Sequence, residues 1–301
     1  MPKHATIIIQ ASNENNKNPK NSSWFIQITN WVCVYGVILV IVSFCINIYM
    51  NSHFYKIILP QWILSSIAIS LLFIDFKWIH VAYMLLGLYI PGIIGNTIGF
   101  HRYLTHQSFD VNKFWHYTFI FLGSLTGQGS AIFWTALHLH HHRNSDNELD
   151  VHSPNKGFWK SFVLWQIKGN FEGMKGLIAP KKLYRDPVVK FLHYQYYKVY
   201  WGTGAILAMI DPFFFLYFFC LGAFFLMSLV DNFSNFFLHY DKVGYTNYNT
   251  KDQSRNVPLI AYFTLGGGWH NNHHNDPKNY KFGVTKYEID LASKFIEIIK
   301  K

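Results

Sequence analysis

The sequence predicts an all-α integral membrane protein, and three observations carry that prediction. Half of its 301 residues are hydrophobic and 19% are aromatic, against only 14% charged. The apolar residues gather into long runs at 31–50, 57–74, 79–100, 199–210 and 213–230, and the segments between them are polar, basic and rich in histidine. The formal net charge of +10 does not point to nucleic acid, because the lysines and arginines are scattered between apolar runs instead of forming one basic face. Anionic lipid headgroups or an acidic substrate carrier suit that scatter better.

Taken in order, residues 1–23 include the asparagine-rich stretch Ala11–Ser23 and lack the apolar centre of a signal peptide. They read as a mobile tail ahead of a single membrane domain, 24–301. Run 31–50 carries no charge, and about 20 residues at 1.5 Å each cross roughly 30 Å of hydrocarbon. It either spans or lies deep in the interface. Runs 57–74, opened by Pro60, and 79–100 are parted by Asp75 and Lys77 and form a helical hairpin. Phe114–Trp134 is apolar but interrupted by glycines and by Ser124, Thr126, Gln128 and Ser130, which fits a buried or interfacial helix.

The basic stretch 143–198 is placed in the cytoplasm by the positive-inside rule. Runs 199–210 and 213–230 form a second hairpin around Asp211-Pro212, its first arm short unless Phe191–Tyr197 extends it. Two crossings return the chain to its starting side, so 101–198 and 231–301 make one cytosolic cap, ending in an amphipathic stretch around Tyr287–Ile299. Counting 31–50 as a third span before the cap would put the N-terminus outside despite Lys3, Lys17 and Lys20; it stands as an extra N-terminal hydrophobic helix of open topology. Cys33, Cys45 and Cys220 all sit inside apolar runs and predict no disulfide.

Histidine supplies the chemistry. His270, His273 and His274 stand at i, i+3 and i+4, as do His138, His141 and His142, so within a helix each trio leaves one face. Asn235 and His239 are one turn apart, and His101 and His106 lie five residues apart, a spacing that shares no face of an ideal helix. The helix is therefore expected to loosen or end inside 101–106. Each cluster alone is compatible with satisfied structural histidines. Together they are not: neutral imidazole binds iron, zinc, copper or nickel near pH 7, and nine are too many for one zinc, whose structural sites close at four ligands. They suit two metals that each keep an open position. His140 and His152 are not taken as ligands.

Four stretches now carry a resemblance. His101-Arg-Tyr-Leu-Thr-His106-Gln-Ser-Phe, His138-x-x-His141-His142, Asn235-x-x-x-His239 and Gly268-Trp269-His270-Asn-Asn-His273-His274 resemble the boxes of membrane-bound fatty acid desaturases, nearest to the acyl-CoA (stearoyl-CoA, delta-9) branch. The likeness runs from about Pro60 to the C-terminus and extends to Asp252-Gln-Ser-Arg255-Asn256, Thr264-Leu265-Gly266 and Tyr287-Glu288-Ile-Asp290.

The resemblance implies four transmembrane helices under a cytosolic helical cap, with two Fe2+ held by His101, His106, His138, His141, His142, His239, His270, His273 and His274, and with Asn235 holding a water on one iron. It implies O2 as oxidant and a cis double bond, at delta-9, in a long-chain acyl-CoA; no side chain beyond the metal centre is expected to be catalytic. Acids placed to orient the imidazoles are expected at Asp146, Asp150 and Asp231. Leu85, Tyr89, Gly92 and Asn96 are expected along an acyl tunnel, with Tyr89 limiting chain length; Arg143, Lys182, Arg185 and Arg255 are expected at the carrier headgroup.

With no iron–sulfur, GxGxxG or His-Pro-Gly-Gly motif in the sequence, electrons are expected from a separate cytochrome b5, ferredoxin or rubredoxin with its reductase. The expected location is a bacterial inner membrane or the endoplasmic reticulum, with the active site cytoplasmic. The alternatives are a hydroxylase or other di-iron oxidation of an acyl-ACP, acyl-lipid or alkyl substrate and, from another class, a histidine-rich metal transporter. Transporters keep their ligands near the bilayer midplane, whereas these boxes lie at run ends and in basic loops.

Overall fold

The computed structural model describes residues 53–167 and 177–301. The tail 1–23, the run 31–50, Cys33, Cys45, Lys168 and Lys175 lie outside the described residues. Among the described residues three helices are long and apolar enough to cross a membrane: α1 (Phe54–Ile74), α2 (Trp78–Thr105) and, near the end of the apolar part, α8 (Pro212–Phe237). Between them come α3 (Lys113–Ser124), α4 (Ala131–Asn144), α5 (Lys181–Arg185), α6 (Pro187–Tyr194) and α7 (Tyr196–Ile210). After α8 follow α9 (Pro258–Phe263), α10 (His270–Asn275) and α11 (Leu291–Ile299). Among the described residues there are no strands, only the isolated bridges Tyr245 to Asn256 and Asn256 to Trp269.

Helix α8 is central. Ten consecutive residues from Phe215 to Phe224 are buried, which is what an apolar helix without a polar face does when protein surrounds it. Helix α1 lays Ile57, Gln61, Leu64, Ser65 and Ala68 inward at helical spacing, and Ser65 Oγ donates to the Cys220 carbonyl at 2.9 Å. Its other side is open, with Phe73 88% exposed, as a lipid-facing surface would be. Helices α2 and α8 touch backbone to backbone: a Cβ on Gly87 would sit 2.0 Å from the Phe218 carbonyl oxygen, and one on Gly222 2.3 Å from that of Met84.

The two hairpin turns lie at the same end of the molecule. Asp211 caps α8 by accepting from the Phe213 and Phe214 amides, and its other oxygen accepts from Tyr83 Oη of α2 at 3.2 Å. His80 of α2 stacks on Tyr217 of α8 nearby, with ring centroids 4.3 Å apart. The arm before that turn departs from expectation. Phe191–Tyr197 does not extend it as one helix, because the backbone breaks at Gln195 (φ −102°, ψ 15°), leaving α7 with 15 residues. Helix α6 instead turns away and buries Val189 in the second core, which lies at the opposite end.

That second core packs Ile98, Phe100 and Leu104 of α2 against Phe119 and Ile120 of α3, Ala136 of α4 and Ala292 and Ile296 of α11. Helix α3 is half-buried, burying Phe119, Ile120 and Gly123 while exposing Phe114, Tyr117 and Phe121. Helix α2, at 28 residues, measures roughly 40 Å. That exceeds the hydrocarbon thickness, so its last turns belong to the polar end, where the histidines are.

A candidate metal centre

The first histidine pair shows how local winding makes a site. From Leu88 to Thr105 helix α2 is wound with i→i+5 hydrogen bonds, beginning beside Pro91, whose missing N–H cannot support the tighter α ladder. The His106 amide donates to the His101 carbonyl at 3.2 Å, closing one wide turn. Five residues are then one turn, so the two rings meet edge to face with centroids 4.9 Å apart. Gln107, at φ +50°, ends the helix. The winding is thus already wide ahead of the box, and the helix ends inside it at Thr105.

Nine imidazoles converge here in two groups, His101, His106, His138, His142 and His273 in one and His141, His239, His270 and His274 in the other, the ring nitrogens of each group lying within 4.8 Å of one another. The i, i+3, i+4 trios do not each serve a single site. At about 100° per residue, i and i+4 diverge by only about 40° whereas i+3 and i+4 diverge by about 100°. Helix α4 accordingly gives His138 and His142 to the first group and His141 to the second; α10 gives His270 and His274 to the second and His273 to the first.

Within the groups, Nε2 atoms face each other: His101 and His273 at 3.0 Å, His138 and His142 at 3.0 Å, His142 and His273 at 3.1 Å, and His239 and His270 at 3.0 Å. The Nε2 atoms of His106 and His274 are buried without a protein partner. Burial holds His106, His138, His142, His270, His273 and His274 neutral, with His106 lowered to about 3 and His274 to about 4, whereas at His141 burial is outweighed by Asp150 and the net shift is upward. Neutral, inward-facing lone pairs with no protein donor are what a cation needs, so the residues fit a pair of metal ions.

Carboxylates orient three of the rings. His141 Nδ1 donates to Asp150 at 3.0 Å, His239 Nδ1 to Asp146 at 3.0 Å and His274 Nδ1 to Asp252 at 2.6 Å. Each contact fixes the tautomer and leaves Nε2 facing inward. Burial works against ionising Asp150, yet His152 and His141 hold its carboxyl well below the usual range. His140 faces away, its Nε2 donating to the Leu149 carbonyl at 3.0 Å. Asp252 was not singled out from the sequence, because 22 residues separate it from His274; the stretch it opens carried the only hint.

Asp231, expected among those acids, meets no imidazole. It accepts from Gln128 Nε2, and Gln128 Oε1 in turn receives Asn96 Nδ2 at 2.7 Å and Trp134 Nε1 at 2.9 Å. The indole so held stacks on His138, centroids 4.9 Å apart. Asp231 therefore acts on the first group only through two intervening side chains.

A cavity of about 150 Å³ opens against both groups, touching His101 and His138 of one and His270 of the other, with Asn235 and Asp231 on its wall. The expected tunnel residues do not line it. Leu85 is 43% exposed on the outer face, Gly92 packs against Met227 and Asn96 is engaged by Gln128; Tyr89 is absent from the wall. The register of α2 instead presents Thr97 and His101. The four basic residues expected at a carrier headgroup occupy separate settings: Arg143 is exposed on α4, Lys182 lies over the Tyr103 ring, Arg185 is exposed on α5, and Arg255 donates to the Val243 and Gly244 carbonyls.

Two further features support the site. Arg102, fully buried, pairs with Asp290 at 3.0 Å and stacks on Phe282, whose ring in turn lies 4.4 Å from His273. Beneath α10, Asn256, Asn271, Asn272 and Glu288 form a hydrogen-bonded cage; Asn256 Oδ1 accepts from the Asn271 amide, and Asn272 Nδ2 donates to Glu288.

Residues 76–292 match the fatty acid desaturase family. The chain belongs to that family. Its relatives include the sn-1 stearoyl-lipid 9-desaturase of Anabaena variabilis, 33% identical over 75% of this chain and 82% of that protein. The Delta-9 acyl-lipid desaturase 1 of Arabidopsis thaliana is 34% identical over 75% and 74% of the two chains. The Acyl-CoA C20 Delta5-desaturase of Anemone leveillei is 31% identical over 70% and 68%. The delta-9 members support placing this desaturase in that branch. Desaturases of this family generally work with two irons, and the two histidine groups fit that number.

Proposed function

We propose that this desaturase inserts a cis double bond at delta-9 of a long-chain acyl group, using O2 and electrons from a separate donor protein with its reductase. The observation that carries the reading is a cavity that touches both histidine groups. His101, His106, His138, His142 and His273 would hold one iron; His141, His239, His270 and His274 the other, with Asn235 holding a water beside it. Bound iron supplies the oxidant that removal of hydrogen from an unactivated CH2–CH2 pair demands, which no side chain provides. The chain's own residues do the rest. Asp146, Asp150 and Asp252 lock ring tautomers, Trp134 and Phe224 wall off water, and Thr97 and Gln128 bound the space beside the histidines.

In this reading four helices cross the membrane, with α7 completing the second hairpin, and the histidine end lies in the cytoplasm. For the carrier, we favour a membrane glycerolipid over the acyl-CoA expected from the sequence. The basic residues assigned to CoA phosphates stand in separate settings, and two of the relatives above are named for lipid substrates. Acyl-CoA is the second reading, favoured by the Anemone relative.

Expression in a host lacking delta-9 desaturase, with a compatible electron donor, is the test. Mass spectrometry should show a loss of 2 Da and a cis bond at carbon 9. A gain of 16 Da would make the protein a hydroxylase; no acyl change with iron bound would sink the reading. Isotope-labelled stearoyl-phospholipid in isolated membranes should be converted without release of its acyl chain, whereas conversion of stearoyl-CoA alone would select the second reading.

A further inference from the structure

The carboxylates around the histidines are unevenly distributed. Among the described residues, the three that bond to an imidazole of either group, Asp146, Asp150 and Asp252, all serve the four-imidazole group. Among the described residues no carboxylate bonds to His101, His106, His138, His142 or His273. On that side the Arg102 guanidinium lies behind Phe282 and is already paired with Asp290.

Resting on the two-metal reading above, we infer that the two positions are unlike by construction: Asp146, Asp150 and Asp252 compensate the charge of the metal in the four-imidazole position, and the five-imidazole position has neutral ligands alone. A divalent ion in the first faces three anions through three rings, Asp150 buried and Asp146 and Asp252 half-buried, where their field is less screened than in water. Each ring donating Nδ1–H to a carboxylate is also a more basic donor at Nε2. Ligand count runs the other way, five against four. Carboxylate partners of metal-bound histidine are each worth about 10–100-fold in metal affinity. Three such partners outweigh one extra neutral imidazole. The four-imidazole position therefore loads first, holds its metal longer and favours the more highly charged oxidation state.

A purely orienting role predicts something different, and substitution by asparagine separates the two. An amide oxygen still accepts from Nδ1–H, so ring orientation is kept while the charge is lost. Asp252 is the cleanest position, since beyond His274 its carboxylate accepts only the Ser254 amide.

The experiment titrates metal-free full-length protein in detergent with Co2+, followed by calorimetry and by the d–d absorption bands. Two steps are expected, the first at least about 10-fold tighter. D252N should weaken the tight step by about 10–100-fold and move the other by less than about threefold. His138→Ala should remove only the weak step. Should D252N not fold, D146N at His239 carries the same expectation. Two steps of equal affinity, or a D252N effect absent or shared by both, would overturn the inference and leave the two-metal reading standing. Binding of no Co2+ at all would overturn both. With 57Fe, Mössbauer spectra should show two doublets of equal area, and D252N should displace only one.

Discussion

At the residue scale, buried charge is spent on holding the third histidine box. Glu288 is 4% exposed and accepts from Tyr245 Oη at 2.7 Å, Asn247 Nδ2 at 2.7 Å, Asn272 Nδ2 at 3.1 Å and the amides of Val284 and Thr285. Burial pushes its carboxyl up, and those donors outweigh burial, so its pKa lies below the usual 4.5. A depressed carboxyl contributes stability that is complete above 4.5 and lost as pH falls through the lowered value. Glu288→Gln is expected to destabilise the fold by on the order of 2 kcal/mol at pH 7. The gap in unfolding midpoint between variant and parent should close as pH drops below 4.5; a gap constant with pH would mean that shape, not charge, matters there. Arg102 and Asp290 tie the C-terminal segment to the end of α2 through a buried pair, and removing either partner would leave the other's charge uncompensated at a large cost.

At the element scale, two local irregularities decide the site. The wide winding of α2 turns an i, i+5 pair into neighbours, and the short α10 divides its three rings between the two histidine groups. Both depend on α2 being held in register against α8, and that register is set where Gly87 meets Phe218 and Gly222 meets Met84. Neither glycine has space for a methyl group, since the obstructing atoms are backbone. Gly87→Val should therefore cost about 1–3 kcal/mol by overpacking and lower the thermal midpoint in detergent. Gly202→Ala, where a Cβ inside α7 meets nothing within 4 Å, serves as the control and should leave the midpoint unlowered or raise it slightly, since alanine favours a helix over glycine by about 0.5–1 kcal/mol. Equal effects from the two would show that the close approach is not needed.

At the scale of the whole molecule, the polarity of the bundle is the functional fact. One end carries the turns at 75–77 and 211, joined through Tyr83 and Asp211; the other carries every histidine of the two groups and the second core. In the topology proposed above, both hairpins cross in full. In a background with Cys33, Cys45 and Cys220 replaced by serine, a cysteine at Phe76 should react with a membrane-impermeant reagent from one side. Cysteines at Lys242 and Lys301 should react only from the other. Labelling of all three from one face would refute the two-hairpin topology.

Much of this was already present in the order of residues. Apolar runs of membrane length and four histidine boxes point to a helical, membrane-associated protein whose histidines are suited to metal, because hydrophobic length and ligand spacing are local properties that survive without a fold. The loosening of α2 was legible for the same reason: a five-residue spacing has no shared face on a regular helix. What the tertiary structure decided depends on contacts between distant segments. It split each trio between two groups, because that division depends on where α2 and the end of α8 deliver their own histidines. It assigned Asp252 to His274 and sent Asp231 to Gln128, since a carboxylate's partner is set by packing and not by its neighbours in sequence. It also moved the cavity wall from Tyr89 to Thr97 and Phe224, because helical periodicity fixes which residues share a face but not which way that face is turned.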